Sequence, residues 1–476
     1  MIFKTNNESI ELYLRHIVQE VFPKKIIDSS ETLYLHINTA DNQIYAKASI
    51  RGVEKIHSEH IDKHPSVNIA TSCAIGKSII DIGLSLGYSI PPYGVLTGVR
   101  PIKVASSVYD GRNIDTFAQE LYNKYLLSYK KSTLLYHCIS FDRKIRHSHS
   151  KKDISIYISI PFCPSRCYYC SFVSFDVANK KALIPRYLEL VYEEIERMSE
   201  IVYSNSLNVK SVYIGGGTPG ILTADQIKQL LLCINKYFPS RKEEFTFEIG
   251  RPETVSKEKL IVLIEGGVNR ISVNTQTTNN DILKLIGRNH TSEDYFRAVS
   301  MALDAGFYSV NTDIIAGLEK ESFESFKKSV SDVISTGVDN ITVHTLCVKK
   351  SSALKESSST ALCKNIDDFV NFSKDFCISS GYLPYYLYRQ KYALGGHESV
   401  GYCKDNKYSY YNIAMMNEIE SVIGIGAGAT TRIESNSINE KYIHLENYKY
   451  PIDYIRDKEK MYAHTIAVAN ALNNNS

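Results

Sequence analysis

The stretch Cys163-Pro-Ser-Arg-Cys167-Tyr-Tyr-Cys170 places three cysteines at spacings of four and three residues, directly after a short apolar segment that is predicted to be a strand. Cysteines grouped this tightly are typical of the ligands of an iron–sulfur cluster. A cubane cluster has four irons, so three thiolates leave one iron open to bind a small molecule. We therefore predict that Cys163, Cys167 and Cys170 are metal ligands and form the catalytic centre of the chain.

A zinc site, a disulfide and a group of ordinary buried cysteines are each less consistent with this spacing. Zinc in a structural site would need a fourth protein ligand, and none lies nearby in the sequence. A disulfide would leave one of the three cysteines unpaired. Three ordinary buried cysteines remain an alternative, although chance seldom groups cysteines so closely.

The composition is that of a globular protein with a substantial core. The chain has 476 residues, of which 43% are apolar and 22% charged, so two or three folded units are expected. The net charge of +3 gives no reason to expect nucleic acid binding. No signal peptide or membrane span is apparent. The other cysteines are scattered singly, which fits a reducing cytosol, and we expect a cytoplasmic protein.

The chain divides into four predicted segments. Residues 1–140 are expected to form a small N-terminal α/β domain of unknown role, because stretches of helical and strand periodicity follow one another there. Residues 141–152 are polar, basic and without apolar periodicity, which predicts a linker rather than a patch for an acidic partner. Residues 153–384 alternate regularly between strands and helices. Residues 385–476 lose that regularity, and we expect a mixed C-terminal segment on the substrate side.

The regular segment predicts a parallel sheet, because strands that alternate with helices are joined by right-handed crossovers. The predicted strands are 154–160, 211–214, 245–249, 270–274, 310–315 and 341–345. No dinucleotide fingerprint follows the first strand, so an α/β fold with a partial (β/α)6 barrel is favoured over a nucleotide-binding sheet. Chemistry in such folds gathers at the carboxyl ends of the strands, which is where the cysteine stretch lies.

Glycine and polar residues recur at those strand ends. Gly215-Gly-Gly-Thr-Pro219 follows the second strand, and consecutive glycines let the backbone approach a ligand closely, although a simple turn into the next helix is the alternative. Glu248, Gln276, Arg288 and Asp313 lie at or after later strands. Buried strands usually avoid charge, so a shared ligand explains these residues better than chance, with single ion pairs or caps as the alternative.

The segment Tyr157-Ile-Ser-Ile-Pro-Phe-Cys-Pro-Ser-Arg-Cys-Tyr-Tyr-Cys-Ser-Phe172, followed by Gly-Gly-Gly-Thr-Pro, resembles the radical S-adenosylmethionine (SAM) superfamily. Within it, the segment is similar to the oxygen-independent coproporphyrinogen III oxidase group. The segments 93–103, 384–391 and 423–431 resemble the HemZ-type coproporphyrinogen dehydrogenase branch. The resemblance covers nearly the whole chain.

The resemblance implies that the three cysteines hold a [4Fe-4S] cluster whose open iron binds SAM. It also implies a set of residues that contact SAM: Gly216, Gly217 and Thr218 at the methionine end with Tyr157 near them, Tyr169 beside the adenine, and the polar residues Glu248, Gln276, Arg288 and Asp313. The family holds two SAM molecules, so these residues could be divided between them.

The same resemblance implies a reductive mechanism. An electron from the cluster splits SAM into methionine and a 5′-deoxyadenosyl radical, which removes hydrogen from a propionate side chain. Loss of carbon dioxide and one electron then leaves a vinyl group, converting coproporphyrinogen III to protoporphyrinogen IX. The implied partners are a porphyrinogen or heme-like small molecule and reduced ferredoxin or flavodoxin as the electron donor.

Two positions depart from the oxidase pattern. Phe172 stands where that enzyme has a fourth nearby cysteine, and Ser159 stands where it has histidine. Phe172 is shared with heme-chaperone relatives. A heme-binding chaperone and a radical SAM methyltransferase acting on heme or another substrate are therefore alternative functions.

Several basic residues could contact a substrate that has carboxylates. Arg100, Lys103, Arg389 and Lys391 could each pair with one, because arginine suits bidentate capture, but surface charges or interdomain ion pairs explain them equally well. His344, on the sixth strand, would either touch SAM or substrate or be a hydrogen-bonded histidine of the barrel.

Overall fold

The computed structural model describes residues 1–22, 24–27, 29–96, 100–170, 172, 175–176, 182–240, 242–347, 365–390, 393–436 and 441–474. The chain forms two compact units. The first comprises Met1–Phe141 with Leu387–Lys391, and the second comprises Asp142–Tyr386 with Tyr392–Ser476.

The first unit contains a sheet whose strands pair in chain order: β1 (Ile2–Thr5), β2 (Thr32–Ala40), β3 (Gln43–Ile50) and β4 (Val53–His60). Its helices are α1 (Glu11–Val21), α2 (Lys24–Ile27), α3 (Val67–Ser85), α4 (Pro101–Val108) and α5 (Ile114–Tyr125). The turn from β2 to β3 is made by Asp41 and Asn42 at φ of 50° and 60°. Asp and Asn tolerate that left-handed backbone, which two-residue hairpins require.

Helix α3 is long and apolar enough, by length and composition, to cross a membrane. Ser66 caps it by accepting a hydrogen bond from Ile69 N. More than half of its apolar stretch is buried, and Ile75 and Ile79 are fully enclosed. A helix that is apolar on most sides is typical of a protein core, and burial in the first unit accounts for the composition of α3.

The segment 141–152, predicted as a linker because it lacks apolar periodicity, is helical up to Ser148, where α6 (Tyr129–Ser148) ends. Ile145 is buried, and the Asp142 carboxylate accepts hydrogen bonds from Arg146 Nε and Asn417 Nδ2, both at 2.9 Å. The contacts that hold this part of α6 are thus mainly polar, which explains why apolar periodicity does not predict it.

The second unit is built on one large sheet. Its strands are β5 (Asp153–Ile160), β8 (Asn208–Gly216), β9 (Glu244–Gly250), β10 (Arg270–Val273), β11 (Ser309–Ala316), β12 (Asn340–Thr345), β13 (Leu383–Arg389), β14 (Glu398–Cys403), β15 (Ser421–Ile425), β16 (Thr430–Glu434) and β17 (Tyr442–Glu446), while β6 (Phe162–Cys163) and β7 (Phe175–Asp176) pair separately. Its helices are α7 (Leu183–Ser204), α8 (Ala224–Tyr237), α9 (Lys257–Glu265), α10 (Asn280–Leu285), α11 (Ser292–Asp304), α12 (Phe323–Ser335), α13 (Ile366–Ser379), α14 (Tyr410–Met416), α15 (Pro451–Arg456) and α16 (Lys458–Asn473).

The order of the large sheet is β13-β14-β12-β11-β10-β9-β8-β5-β15-β16-β17. The six predicted strands, β5 and β8 to β12, are consecutive neighbours and all run parallel. Because the order has two ends, the sheet is an incomplete barrel. The prediction of an α/β fold with a partial (β/α)6 barrel is confirmed.

The parallel strands alternate between apolar and polar residues. In β5, for example, Ile154, Ile156 and Ile158 alternate with Ser155, Tyr157 and Ser159. The other strands place polar residues in the same alternation: Ser211 and Tyr213; Glu244, Thr246 and Glu248; Arg270 and Ser272; Ser309, Asn311 and Asp313; Asn340, Thr342 and His344. Helices cover the apolar face, so the interior of this barrel is polar, unlike the apolar interior of complete (β/α)8 barrels.

Residues 404–420 contact the beginnings of the parallel strands. Ser409 Oγ donates to Glu244 Oε1 at 2.9 Å, and Asn340 Nδ2 donates to the Lys407 carbonyl. Glu420 accepts hydrogen bonds from Ser155 and from Tyr410 Oη. This part of the C-terminal segment, which we expected on the substrate side, therefore lies at the opposite end of the strands from the cysteine stretch.

Candidate active site at the carboxyl ends of the barrel strands

The glycine loop after β8 is bonded to the beginning of the cysteine stretch. Gly217 N donates to the Ile160 carbonyl at 2.9 Å, and Thr218 N donates to the Phe162 carbonyl at 2.7 Å. A Cβ atom on Gly217 would stand 2.6 Å from the Phe162 oxygen, closer than real contacts allow. The absence of a side chain at Gly217 is thus required for the two loops to meet.

The three predicted ligand cysteines are free thiols, with Cys163 and Cys167 buried and Cys170 half-buried. Thr218 Oγ1 donates to Cys163 Sγ at 3.4 Å, and Arg251 Nη2 donates to Cys167 Sγ at 3.1 Å. Burial opposes ionisation of Cys167, but the guanidinium groups of Arg288 and Arg251 outweigh burial and lower its pKa. The surroundings therefore favour the thiolate, which is the form that binds metal.

The second half of the cysteine stretch packs on the segment that follows β10. Tyr168 and Tyr169 contact an apolar cluster that includes Ile286. Tyr168 N donates to the Ile286 carbonyl at 3.1 Å, and Arg288 Nη2 donates to Tyr169 Oη at 3.2 Å. Tyr169 and Arg288, which were predicted separately as SAM residues, are thus in direct contact.

Glu248 lies against the glycine loop and a tyrosine. A Cβ atom on Gly215 would stand 2.7 Å from Glu248 Oε2, and Tyr213 Oη donates to Glu248 Oε1. Burial raises the pKa of Glu248 to about 7. Tyr213 also stacks with Tyr157 and Tyr411, with ring centroids 6.2 and 4.5 Å away, and the rings of Tyr157 and Tyr411 are 6.4 Å apart. The predicted residue Tyr157 therefore belongs to a cluster of three rings, of which Tyr213 bonds to Glu248.

Gln276 and Asp313 meet through the backbone. Gln276 N donates to the Asp313 carbonyl at 2.9 Å, and Gln276 has a left-handed φ of 76°, which is uncommon for residues other than glycine. His344 Nε2 lies 3.4 Å from Asp313 Oδ2. Burial opposes ionisation of Asp313, but its interaction with His344 outweighs burial and lowers its pKa. His344 thus faces a charged carboxylate at the predicted site.

Two polar atoms of these strand ends fit the binding of a polar ligand. Gln276 Oε1 and Arg288 Nε are buried without a hydrogen-bond partner among the described residues. Buried polar atoms are normally paired, so unpaired ones call for an explanation such as a ligand. SAM has amino, carboxylate and hydroxyl groups that could satisfy them.

The cysteine stretch also fits a cluster rather than a single ion. In the part of the chain that the structure describes, no three His, Cys, Asp or Glu side chains converge closely enough to hold one metal ion. Each cysteine of a [4Fe-4S] cluster binds a different iron, so its sulfurs stand farther apart than the ligands of one ion. Three free thiols in one loop are the donor set that such a cluster requires.

Three residues of this region were not singled out from the sequence. Arg251 lies three residues after Glu248, and a charge directly after a buried strand was a usable signal. Tyr213 has the same place in its strand as Tyr157 in β5, because the two residues are direct neighbours in the sheet. Tyr411 lies in α14, far along the chain, and no sequence pattern connects it with the strands.

The basic residues considered for substrate carboxylates do not all remain available. Arg389 donates to Glu20 Oε1 at 2.7 Å and to the Leu96 carbonyl at 3.2 Å, so it is engaged within the first unit. Arg100 and Lys103 are exposed at the start of α4. Lys391 lies outside the described residues.

Comparison with known proteins identifies the family of this chain. The sequence model of the Radical SAM superfamily matches residues 157–333. The oxygen-independent coproporphyrinogen-III oxidase-like protein HemZ of Bacillus subtilis is 34% identical over 376 residues, which cover 76% of this chain and 74% of HemZ. The heme chaperone HemW of Lactococcus lactis is 31% identical over 59% of this chain and 70% of its own length.

The solved structure of coproporphyrinogen III oxidase (HemN) from Escherichia coli, described as a radical SAM enzyme, matches with a TM-score of 0.53 and 20% identity. The match covers 69% of this chain and 72% of HemN, and at that identity it supports the fold alone. A [4Fe-4S] cluster and SAM are the cofactors of this superfamily and of this chain. The chain belongs to the radical SAM superfamily and, within it, to the oxygen-independent coproporphyrinogen-III oxidase-like family that includes HemZ.

Proposed function

We propose that this protein catalyses the oxygen-independent oxidative decarboxylation of coproporphyrinogen III, converting two propionates to vinyl groups and giving protoporphyrinogen IX. The main support is the convergence of the cysteine stretch, the glycine loop and the charged strand ends at one end of a polar barrel, in a chain related to HemZ. We further propose a cytoplasmic setting, with reduced ferredoxin or flavodoxin as the electron donor.

In this proposal, the residues of the site hold and orient the reactants. When bound, the cluster and SAM supply a radical that removes a hydrogen atom from the substrate. Cys163, Cys167 and Cys170 hold the cluster. The SAM contacts are assigned to Tyr157, Tyr169, Gly216, Gly217, Thr218, Glu248, Gln276, Arg288 and Asp313. Their mixture of carboxylates, a guanidinium and a side-chain amide suits the zwitterionic methionine group and the ribose of SAM.

The substrate chemistry requires no general base. Each –CH2–CH2–COO⁻ group loses one hydrogen atom, then carbon dioxide and one electron, and the remaining carbons form –CH=CH2. The hydrogen leaves as an atom and the electron passes to an external one-electron acceptor. The site has no need of a Ser/His/Asp arrangement, and its residues serve to align the propionate and to exclude water and oxygen.

The test is an anaerobic reaction of the reconstituted protein with SAM, a chemical reductant, an electron acceptor and coproporphyrinogen III. We expect a divinyl product, with one 5′-deoxyadenosine and one carbon dioxide released for each vinyl group. The Cys167→Ala variant is the negative control. The proposal would be contradicted if coproporphyrinogen III neither accelerated the cleavage of SAM nor gave a vinyl product.

A heme-binding chaperone is the second candidate, favoured by one observation in this chain. Phe172, at the position of the oxidase's fourth cysteine, is 69% exposed beside the cysteine stretch. An apolar ring that is exposed next to the cluster is suited to contact a tetrapyrrole rather than to bind metal. Stoichiometric heme binding without turnover of SAM would favour this function, whereas a methylated product would favour a methyltransferase.

A further inference from the structure

Arg251 is a buried arginine with direct contact to the cysteine stretch. It follows β9 and is 2% exposed. Its Nη2 donates to Cys167 Sγ at 3.1 Å and to the Ser165 carbonyl at 2.6 Å, and its Nη1 donates to Ser165 Oγ at 3.1 Å. The guanidinium therefore binds both the backbone of the loop and the sulfur of a predicted cluster ligand.

The position of Arg251 is fixed from the other side as well. Its backbone N donates to the Ile249 carbonyl at 2.9 Å, and its own carbonyl accepts from Thr254 N at 2.9 Å. Glu253 Oε1 lies 3.6 Å from Arg251 Nη1, while Glu253 Oε2 lies 3.2 Å from His290 Nδ1. Although burial opposes it, the interaction with His290 and the charge of Arg251 lower the pKa of Glu253. A charged carboxylate thus compensates the buried guanidinium.

Arg288, the other guanidinium near Cys167, has different partners. Its Nη1 donates to the Asn274 carbonyl at 2.6 Å, and its Nη2 donates to Tyr169 Oη. Arg288 therefore orients the residues proposed to contact SAM, although its side chain also interacts with Cys167. Arg251 bonds to the Cys167 sulfur and to the loop around it and, among the described residues, to none of those proposed to contact SAM.

We propose that Arg251 is a positioning residue that raises the reduction potential of the cluster through its hydrogen bond to Cys167. The inference rests on the cluster site of the proposed function. Reduction adds negative charge to the cluster, and a charged donor at a ligand sulfur stabilises that charge. The planar guanidinium bonds the sulfur and the Ser165 carbonyl with Nη2 while it bonds Ser165 Oγ with Nη1, a two-nitrogen geometry that lysine does not reproduce.

The test is an anaerobic redox titration of the reconstituted cluster followed by electron paramagnetic resonance, without substrate. In Arg251→Leu we expect the equilibrium constant for reduction of the cluster to be about tenfold lower. The midpoint potential should therefore fall by about 59 mV, the value for a one-electron couple. Arg251→Lys should give a smaller shift of the same sign. The matched control is Ser165→Ala, which removes one bond to Arg251 and keeps the bond to sulfur, so its potential should equal that of the wild type.

An unchanged potential in a fully loaded Arg251→Leu variant would overturn the inference. If that variant loses its cluster, Arg251→Lys decides, and a loaded lysine variant with the wild-type potential would also overturn it. If both variants keep the wild-type circular dichroism but lose iron and sulfide, Arg251 only holds the loop, and the tuning role is refuted. Because no substrate is present, failure of porphyrinogen turnover would leave these results unaffected, whereas a wild type without a cluster would refute the proposed function first.

Discussion

The two ends of the barrel contain similar buried carboxylates in different settings. Burial raises the pKa of Glu248, at the carboxyl ends of the strands, and of Glu420, at their beginnings, to about 7 in each case. Glu420 is fully enclosed by side chains, including Tyr410 at 2.7 Å, whereas Glu248 keeps some exposure and lies against the glycine loop that the sequence predicts to contact SAM. A raised pKa therefore does not identify a functional carboxylate, and a position among the other predicted site residues is the better sign.

The largest expected effect is on cluster content and SAM cleavage, and it should distinguish a cysteine of the cysteine stretch from a cysteine elsewhere in the barrel. Cys167→Ala removes one of three cluster ligands, so we expect complete loss of stoichiometric iron and sulfide and of SAM cleavage. Cys233→Ser, in α8 on the outside of the barrel, is the control and should retain both. The measurements are iron and sulfide analysis of the reconstituted proteins and chromatography of 5′-deoxyadenosine. A full cluster in the Cys167→Ala variant would remove the basis for the whole site.

The next effect is a dependence of stability on pH, and it concerns the beginnings of the strands, where residues 404–420 pack. Because the folded pKa of Glu420 lies above its ordinary value of 4.5, its contribution to stability is complete below about 4.5 and is lost as the pH rises through about 7. The loss amounts to roughly 3 kcal/mol. Glu420→Gln cannot ionise, so the free energy of unfolding of the wild type should fall relative to that of the variant between pH 5 and 8.

The measurement is urea unfolding followed by circular dichroism, since the chain has no tryptophan. His149 and Asp153 also lie near Glu420, and because both residues are present in the wild type and in the variant, the comparison isolates Glu420. A difference in stability that stays constant with pH would show that Glu420 is not held in a desolvated site.

The alternation of the barrel strands was predictable from the sequence, and so were the helices between them. Helices α8 and α9 each follow a capping residue, Thr223 and Ser256, and bury one apolar face, so their positions depend on local signals. The cysteine stretch and the glycine loop were equally local. All of these features depend on residues that are close in sequence.

Features that depend on distant contacts were not predictable. Strand β4 has no apolar alternation, and its backbone is set by pairing with β3 and by ion pairs such as that of Glu59 with Lys77 in α3. The hydrogen bond from Arg251 to Cys167 joins residues 84 positions apart. The packing of residues 404–420 against the strand beginnings likewise depends on polar contacts that have no periodic pattern.

A third expected effect compares the two glutamates directly. Glu248→Gln replaces a charge-assisted hydrogen-bond acceptor with a neutral amide, and the loss of one such bond costs about 1.5–3 kcal/mol. We therefore expect SAM to bind about ten to one hundred times more weakly to the reconstituted Glu248→Gln protein. Glu420→Gln is the matched control at the other end and should bind SAM like the wild type. Equilibrium dialysis with SAM measures both, and equal affinities in the two variants would contradict the assignment of Glu248.

The smallest expected effect tests whether the contacts of residues 404–420 with the strand beginnings have only a structural role. Ser409 Oγ donates to Glu244 at 2.9 Å and accepts from Asn412 N at 3.2 Å, so it both bonds the strand beginnings and caps α14. Ser409→Ala should lower the free energy of unfolding by about 1–2 kcal/mol, because a helix cap and a hydrogen bond to a carboxylate are lost. Urea unfolding measures this loss. SAM affinity and cluster content should remain those of the wild type, since Ser409 bonds residues at the opposite end of the strands from the cysteines. Weaker SAM binding in a folded Ser409→Ala protein would show instead that the two ends are coupled through the stacked ring of Tyr411, which lies two residues farther along the same helix.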